Sequence, residues 1–215
     1  MKILFVHSNF PAQYRYLAVR LAQDPMNTVV AIMDERNDVA GREQFGIQLH
    51  KYKVPKGPVK VIHPYLAEFE DGVRRGQQVV RICNGLRQKG FVPDVICAHP
   101  GWGNALYLKD VFPESRILLY CESYNPAKKP DFNFDPEYPG SLEDLLHGRT
   151  WNAINLLSME SCDWGLSPTR WQWGLHPAAY QSKISVIFDG IDTHRIKPNP
   201  GAKILLGEGK LCLTR

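Results

Sequence analysis

Short, wholly apolar runs alternate along this chain with stretches in which apolar residues recur every three or four positions. A short apolar run is typical of a strand buried on both faces, whereas the longer spacing is typical of an amphipathic helix. The predicted strands cover residues 3–6, 28–33, 47–54, 94–98, 116–121, 164–167 and 184–188. This alternation predicts an α/β fold, a Rossmann-like parallel sheet with helices on both faces.

The helical spacing covers residues 14–21 and 64–89, and Gly90 is a natural residue to end the second helix. Two shorter helices are predicted at residues 104–111 and from residue 168. Ser141 and Asp144 form a predicted capping box at the start of a helix that ends near residue 161. The 215 residues suit one large domain with an extension, so we predict a domain over residues 1–197 and a linker or second domain beginning at 198–215.

Composition and charge argue against several classes of protein. The net charge is only +4 and no block of basic residues occurs, so no nucleic-acid partner is predicted. The five cysteines form no C-x-x-C pair and the histidines have no zinc spacing, which predicts reduced thiols and no metal. Met1 is not followed by a signal core, and no apolar run approaches the ~20 residues of a membrane span. The expected location is the cytoplasm, and peripheral contact with the inner face of a membrane is left open.

Ligands of parallel sheets bind beyond the carboxyl ends of the strands, so the residues that follow each strand are the candidate site. The first such loop is HSNFPAQ, from which Asn9, Phe10 and Gln13 are candidate binding residues. The alternative is that Asn9 only caps the following helix. The loop is not a G-x-G-x-x-G, so dinucleotide binding is not indicated.

The loop after the fourth strand, HPGWG, combines three unusual features. His99 can act as a base or a hydrogen-bond donor near neutral pH. Trp102 offers a flat apolar face of the kind that sugar rings need, and Gly101 and Gly103 allow close approach of the backbone. The alternative is a tight turn with a packed tryptophan and a histidine that is satisfied internally.

Two further strand ends carry polar candidates. Glu122 follows the fifth strand, where it could bind a hydroxyl group or pair with a cation, or else be a solvated surface residue. After the sixth strand, Arg170 could hold a phosphate, with Thr169 beside it. Ser167 and Pro168 fit the cap and first turn of a helix without any function.

Asp189, Gly190 and Asp192 follow the seventh strand, although Asp-Gly is a strong turn signal by itself. Residues 124–140 mix prolines, aromatic residues and charges. That segment is either a mobile substrate loop or a long ordered excursion.

Three stretches together resemble the N-terminal domain of a family 4 glycosyltransferase of the GT-B architecture. They are ILFVHSNFPAQYRYLA, HPGWGNALYLKDVFPESRILLYCE, and SPTRWQ followed by ISVIFDGIDTHRIKP. The resemblance implies one half of a GT-B fold, in which two Rossmann-like domains face each other across a cleft. The N-terminal domain would hold the acceptor and the C-terminal domain most of the nucleotide-sugar donor. Such enzymes transfer a sugar with retention of configuration and need no metal for the chemistry.

The sequence departs from the family pattern in two respects. It stops at Arg215, before the expected second domain and its E-x7-E donor signature, so we expect a truncated piece that is inactive alone. The first loop also lacks the paired glycines that many members place beside the donor diphosphate. Residues 9–13 would have to supply that contact.

The resemblance assigns roles to the candidate residues. The expected catalytic residues are His99 and Glu122. The expected acceptor- or substrate-binding residues are Asn9, Phe10, Gln13, Gly101, Trp102, Gly103, Thr169 and Arg170, and the expected domain-junction loop contains Asp189, Gly190 and Asp192. No cofactor is expected apart from the nucleotide-sugar donor.

Three functions are compatible with these features. The first is the N-terminal half of a retaining glycosyltransferase that moves a sugar from a nucleotide-sugar to an acceptor hydroxyl on a sugar, glycan or lipid. The second is a non-catalytic sugar- or nucleotide-binding module of the same fold. The third is an interaction domain that uses the late tryptophans, Trp171 and Trp173 among them, to contact a partner.

Overall fold

The computed structural model describes residues 1–37, 46–54, 63–125, 135–207 and 211–214 of the chain. The predicted loop over residues 124–140 lies largely outside this description, because its central residues 126–134 are not part of it.

The described residues form nine strands and six α-helices. The strands are β1 (Lys2–Val6), β2 (Thr28–Asp34), β3 (Gln48–Tyr52), β4 (Val95–Ala98), β5 (Arg116–Tyr120), β6 (Trp164–Ser167), β7 (Ile184–Val186), β8 (Lys203–Leu206) and β9 (Leu211–Thr214). The helices are α1 (Arg15–Ala22), α2 (Ala67–Gln88), α3 (Leu108–Val111), α4 (Leu142–Ser161), α5 (Arg170–Leu175) and α6 (Ala178–Gln181). Short 3-10 turns cover Ala12–Tyr14, Glu35–Asn37 and Pro64–Leu66.

Seven strands form one parallel sheet in the order β3-β2-β1-β4-β5-β6-β7. Each of the predicted strands is present, and the predicted parallel α/β fold is confirmed. Strands β1, β2 and β3 follow one another toward one edge of the sheet. The chain then returns to the other side of β1, and β4, β5, β6 and β7 follow one another toward the opposite edge. The point between β1 and β4, where the direction of winding reverses, is where a doubly wound sheet opens a crevice for a ligand.

Alternate residues of the central strands face opposite sides of the sheet, as a period of two requires. In β1, Leu4 and Val6 belong to one apolar core and Ile3 and Phe5 belong to the other. Both faces are therefore covered, and residues 3–6 of β1 are all apolar because neither side of them faces solvent.

Helices cover both faces of the sheet, as predicted. Tyr14 and Ala18, at the start of and within α1, pack into the core that contains Phe5. Val79 and Cys83 of α2, together with Met159 of α4, pack into the core on the opposite face. The buried residues of α2 recur at helical spacing, which keeps one face of this long helix against the sheet.

The predicted helix over residues 104–111 is wrong for its first half, because only α3 (Leu108–Val111) is helical. Residues before α3 form successive turns, each closed by a hydrogen bond between residues three apart, such as Gly103 N–H to Pro100 O at 3.1 Å. Gly103 has a φ of +81°, and a Cβ added there would lie 2.3 Å from the carbonyl oxygen of Gly72 in α2. Close packing against α2 therefore shapes this segment more than helix propensity does.

The structure confirms one of the two predicted helix caps and places the other on a different residue. The capping box of α4 is confirmed, since Ser141 N–H donates to Asp144 Oδ2 at 2.9 Å and Asp144 N–H donates to Ser141 Oγ at 3.3 Å. The predicted cap at Ser167 is wrong. Thr169 caps α5 by accepting a hydrogen bond from Gln172 N–H, while the buried Ser167 hydroxyl donates to the carbonyl of Thr169.

Strands β8 and β9 form a separate antiparallel sheet after the main sheet has ended at β7. The division of the chain at residues 197 and 198 stays a prediction. Within the described ranges, no helix has both the length and the apolar composition to cross a membrane. Cys83, Cys97, Cys121 and Cys162 are buried free thiols.

Candidate functional site

The carboxyl ends of β1, β4 and β5 bring three polar side chains together. His7 follows β1, His99 follows β4, and Glu122 lies two residues beyond β5, so all three sit beside the reversal point of the sheet. A cleft of about 530 Å³ opens there. Its lining comprises His7, Asn9, Ala12, Gln13, Arg15, Tyr16, Trp102, Phe188, Asp189, Gly190, Ile191 and Ile196.

His99 and Glu122 form the centre of this cluster. Nε2 of His99 lies 3.1 Å from Oε2 of Glu122, and Nδ1 of His99 accepts a hydrogen bond from Gly101 N–H at 3.1 Å. In the neutral ring the proton must therefore be on Nε2, which donates to the carboxylate. This hydrogen bond from His99 is the main reason that the pKa of Glu122 is lowered, against the opposing effect of burial. The site thus keeps an ionised carboxylate with a fixed donor beside it.

The two glycines of HPGWG are each required for a different structural reason. A Cβ on Gly101 would lie 2.9 Å from the ring of His99, so only glycine brings the backbone N–H close enough to fix that ring. Gly103 is needed for its contact with Gly72 in α2 and for its positive φ. Gly101 therefore serves the site directly, whereas Gly103 anchors the loop to the helix layer.

Trp102 lies over both histidines of the cleft. Its ring stacks on His99 with centroids 4.5 Å apart, and it meets the ring of His7 edge to face at 5.2 Å. Trp102 is only half-buried and lines the cleft, so part of its apolar surface remains open to a ligand.

Gln13 reaches the same carboxylate from the loop after β1. Its Nε2 donates to Glu122 Oε2 at 2.9 Å, so that oxygen accepts from both Gln13 and His99. The glutamate side chain is 39% exposed. Two donors on one oxygen fix the carboxylate, which is joined through Gln13 to the cleft but is not itself among the residues that line it.

Sequence reasoning did not select His7 as a site residue, although the structure places it at the centre of the cleft. It is 1% exposed, its ring lies 5.1 Å from that of His99, and Asn9 N–H donates to its Nδ1 at 2.9 Å. Burial, reinforced by the neighbouring His99, lowers the pKa of His7 to about 3. The signal was available, because His7 follows a buried strand in the same way as His99 does.

Tyr120, at the end of β5, links the predicted domain-junction loop to the sheet. It was not among the site residues predicted from the sequence. Its hydroxyl lies 2.8 and 2.7 Å from the two carboxylate oxygens of Asp189, and its ring lies 6.1 Å from that of His99. Burial and the bond to Asp189 raise the pKa of Tyr120, so the phenol stays protonated and donates. Gly190 has a φ of +82°, while Asp192 accepts from His194 N–H and so serves its own turn.

Among the remaining candidates, Asn9 belongs to this cluster through its N–H bond to His7, whereas Phe10, Thr169 and Arg170 do not line the cleft. Phe10 is buried in the core, with its ring 5.9 Å from that of Phe5, whereas Asn9 is exposed at the edge of the cleft. Thr169 caps α5, and Arg170 is exposed at the first position of that helix. Neither Thr169 nor Arg170 is among the residues that line the cleft.

A buried ion cluster, not recognised in the sequence, lies at the carboxyl end of β2. The fully buried Asp34 accepts hydrogen bonds from Arg36 and, at 2.8 Å, from Arg75 in the middle of α2. Burial alone would raise the pKa of Asp34, but the hydrogen bonds from Arg36 and the charges of both arginines lower it. This cluster ties α2 to the sheet.

A ring of three buried polar side chains supports the loop after β1. Tyr52 Oη lies 3.1 Å from Ser8 Oγ and donates to Asn104 Oδ1, and Asn104 Nδ2 donates back to Ser8 Oγ. Asp34 N–H also donates to the carbonyl of Ser8. These contacts hold His7 and Asn104, the residues on either side of the reversal point, in fixed positions.

The part of the chain that the structure describes contains no group of three or more His, Cys, Asp or Glu side chains arranged to hold a metal ion.

Several solved structures share this fold at low sequence identity. The catalytic domain of Starch Synthase IV from Arabidopsis thaliana, bound to ADP and acarbose, matches with a TM-score of 0.52 and 15% identity, over 90% of this chain and 52% of that one. UGT2 of Phytolacca americana, complexed with UDP-2fluoro-glucose and pterostilbene, matches with a TM-score of 0.51 and 10% identity, over 83% of this chain and 52% of that one. The UDP-GlcNAc 2-epimerase of Methanocaldococcus jannaschii matches with a TM-score of 0.48 and 14% identity, over 86% of this chain and 45% of that one.

The chain spans about half the length of these structures. The likeness to the starch synthase and to UGT2 concerns the fold alone. A comparison with curated proteins finds no match. The sequence profile of the Glycosyl transferase family 4 group matches residues 25–196, which include β2 to β7 and most of the cluster around His99 and Glu122. The chain belongs to the glycosyl transferase family 4 group.

Proposed function

We propose that this chain is the acceptor-side half of a retaining glycosyltransferase, which moves a sugar from a nucleotide-sugar donor to a hydroxyl group of an acceptor. The observation that carries the proposal is the cluster of His99, Glu122, Gln13 and Trp102 at the reversal point of the sheet. It combines an ionised carboxylate, fixed donors and an aromatic face in a chain of the Glycosyl transferase family 4 group.

In this proposal the carboxylate of Glu122 accepts a hydrogen bond from the hydroxyl group of the acceptor. The hydrogen bonds found for Glu122 within the described residues all use Oε2, which leaves Oε1 to accept from the acceptor O–H. The acceptor oxygen then bonds to the anomeric carbon and its proton passes to Glu122 Oε1, while the bond from that carbon to the diphosphate breaks and the diphosphate leaves with the bonding electron pair. His99 keeps the carboxylate ionised and in place. Such a transfer depends mainly on positioning and on preorganised charge.

Trp102 supplies the apolar contact. Its exposed face borders the polar floor formed by His7, Asn9 and Gln13, so one ring of an acceptor could stack on the indole while its hydroxyls reach polar groups. This arrangement of an apolar wall with a few convergent polar groups is common in small-molecule sites.

The proposal includes the donor and the remaining partners. UDP-2fluoro-glucose and ADP are the ligands held by two of the structurally similar proteins, and we infer a nucleotide-sugar as the donor of this one. A second domain would hold most of that donor, with neither a metal nor another cofactor required. A cytoplasmic location fits the four buried free thiols, and peripheral membrane contact is left open.

The test uses the full-length protein and a panel of nucleotide-sugars and acceptor glycosides. The variant His99→Ala/Trp102→Ala should reduce kcat/KM for the acceptor by at least 100-fold, while the affinity for the donor changes little. Trp171→Ala, which removes an exposed tryptophan remote from the cleft lining, is the matched control and should transfer normally.

Unchanged acceptor kinetics in the double variant would refute these roles. A full-length protein that is thermally stabilised by nucleotide-sugars but transfers none of them would instead be the non-catalytic binding module.

A further inference from the structure

Two polar atoms in the cleft are buried without a hydrogen bond of good geometry to any described residue. They are Nε2 of His7 and Oε1 of Gln13. A buried polar atom that lacks a partner costs about 1–3 kcal/mol, so both atoms require an explanation. Both side chains line the same cleft, and that of Gln13 acts on the His7 ring in the direction that raises its pKa, against the larger effect of burial.

The tautomer of His7 follows from its other nitrogen. Since Nδ1 accepts the hydrogen bond from Asn9 N–H, the single proton of the neutral ring must be on Nε2. The ring also stays neutral at ordinary pH, because burial and the neighbouring His99 lower the pKa of His7 to about 3. Nε2–H of His7 is therefore a permanent donor beneath Trp102.

The orientation of the Gln13 amide follows from Glu122. The amide nitrogen donates to Glu122 Oε2 at 2.9 Å, which leaves the amide oxygen for another donor. A reversed amide would set its oxygen against the carboxylate and its N–H groups against Nε2–H of His7. Both contacts would be repulsive, so the histidine tautomer and the carboxylate charge favour the same orientation.

We propose that His7 and Gln13 form a positioning pair, in which His7 Nε2–H donates to Gln13 Oε1 and thereby fixes the amide that holds Glu122 beside His99. The resulting chain of hydrogen bonds runs from β1 to β5 across the carboxyl ends of the central strands. Its significance for catalysis rests on the proposed function, but the contacts themselves do not. The groups that act on Glu122 are His99, His7 and Gln13, with the Tyr120 phenol close by.

The pair can be tested by NMR on this chain without any sugar. Long-range ¹H–¹⁵N spectra should show His7 as a neutral ring protonated at Nε2 from pH 8 to pH 5. Carboxyl ¹³C spectra should show the titration midpoint of Glu122 shifting upward in Gln13→Leu, because the carboxylate loses a donor. His7→Phe should also shift it upward, and Gln88→Leu, at an exposed end of α2, should leave it unchanged.

Two results would overturn the proposal. One is a His7 ring protonated at Nδ1 or titrating near its ordinary value in the wild-type chain, a measurement that needs no variant to fold. The other is an unchanged Glu122 midpoint in both Gln13→Leu and Gln13→Met, with the native amide spectrum retained. Because no donor or acceptor is present, either result is independent of whether the protein transfers sugar.

Discussion

At the scale of single residues, the cleft is built from side chains whose protonation is fixed by a neighbour. Gly101 N–H fixes the proton of His99 on Nε2, and Asn9 N–H does the same for His7. Asp189 keeps the Tyr120 phenol as a donor. The resulting cluster offers an ionised Glu122 surrounded by donors, which is the arrangement expected where a hydroxyl group must be bound and aimed.

The buried His7 should make stability depend on pH in a defined direction. Between pH 6.5 and about 3 the unfolded chain binds a proton at His7 that the folded chain does not, so the free energy of unfolding falls as the pH falls. The slope from this residue is at most about 1.4 kcal/mol per pH unit. Urea unfolding of His7→Phe from pH 7 to pH 4.5 should therefore show a flatter dependence than the wild type. Equal slopes for the two proteins would contradict the low pKa of His7.

At the scale of secondary-structure elements, α2 and the loop after β4 depend on contact between two glycines. The Cα–Cβ direction of Gly103 points at the backbone of Gly72, and the positive φ of Gly103 adds to the requirement for glycine there. This contact places Trp102, one residue earlier, over the histidines.

Alanine substitutions of two glycines should have opposite effects. Gly103→Ala should destabilise the protein by at least about 2 kcal/mol, since it adds both backbone strain and a clash with α2. Gly85→Ala, inside α2 and with open space around the added Cβ, should stabilise it by about 0.5–1 kcal/mol. Thermal or urea unfolding measures both, and a neutral Gly103→Ala would show that the contact is not tight.

The loop after β7 should depend on the Tyr120 hydroxyl. Tyr120→Phe removes the hydrogen bond to Asp189, so amide hydrogen exchange in residues 187–192 should become faster while the sheet is unaffected. Tyr138→Phe, at an exposed tyrosine that is not among the residues lining the cleft, is the matched control and should leave exchange in that loop unchanged. Equal exchange in Tyr120→Phe and the wild type would mean that other contacts hold the loop.

At the scale of the whole molecule, local patterns predicted the sheet well because four of its seven strands, β1, β2, β4 and β5, are built on short apolar runs. The loop at residues 101–107 was mistaken for helix, since its shape comes from packing on α2, which no local pattern reports. The ion pair of Asp34 with Arg75 was missed for the same reason, as its members lie 41 positions apart. The fold rule that points to strand ends selected His99 and Glu122, which the structure brings together, and the same rule extended to His7 would have selected that residue too.

The proposed role of Glu122, to accept the hydrogen bond of the acceptor hydroxyl, is tested most directly by the transfer rate of Glu122→Gln in the full-length protein. We expect its kcat for sugar transfer to fall by about 10²–10⁴-fold, while Glu114→Gln, which lies before β5 at the opposite edge of the sheet, transfers normally. Transfer by Glu122→Gln at the wild-type rate would contradict the central claim.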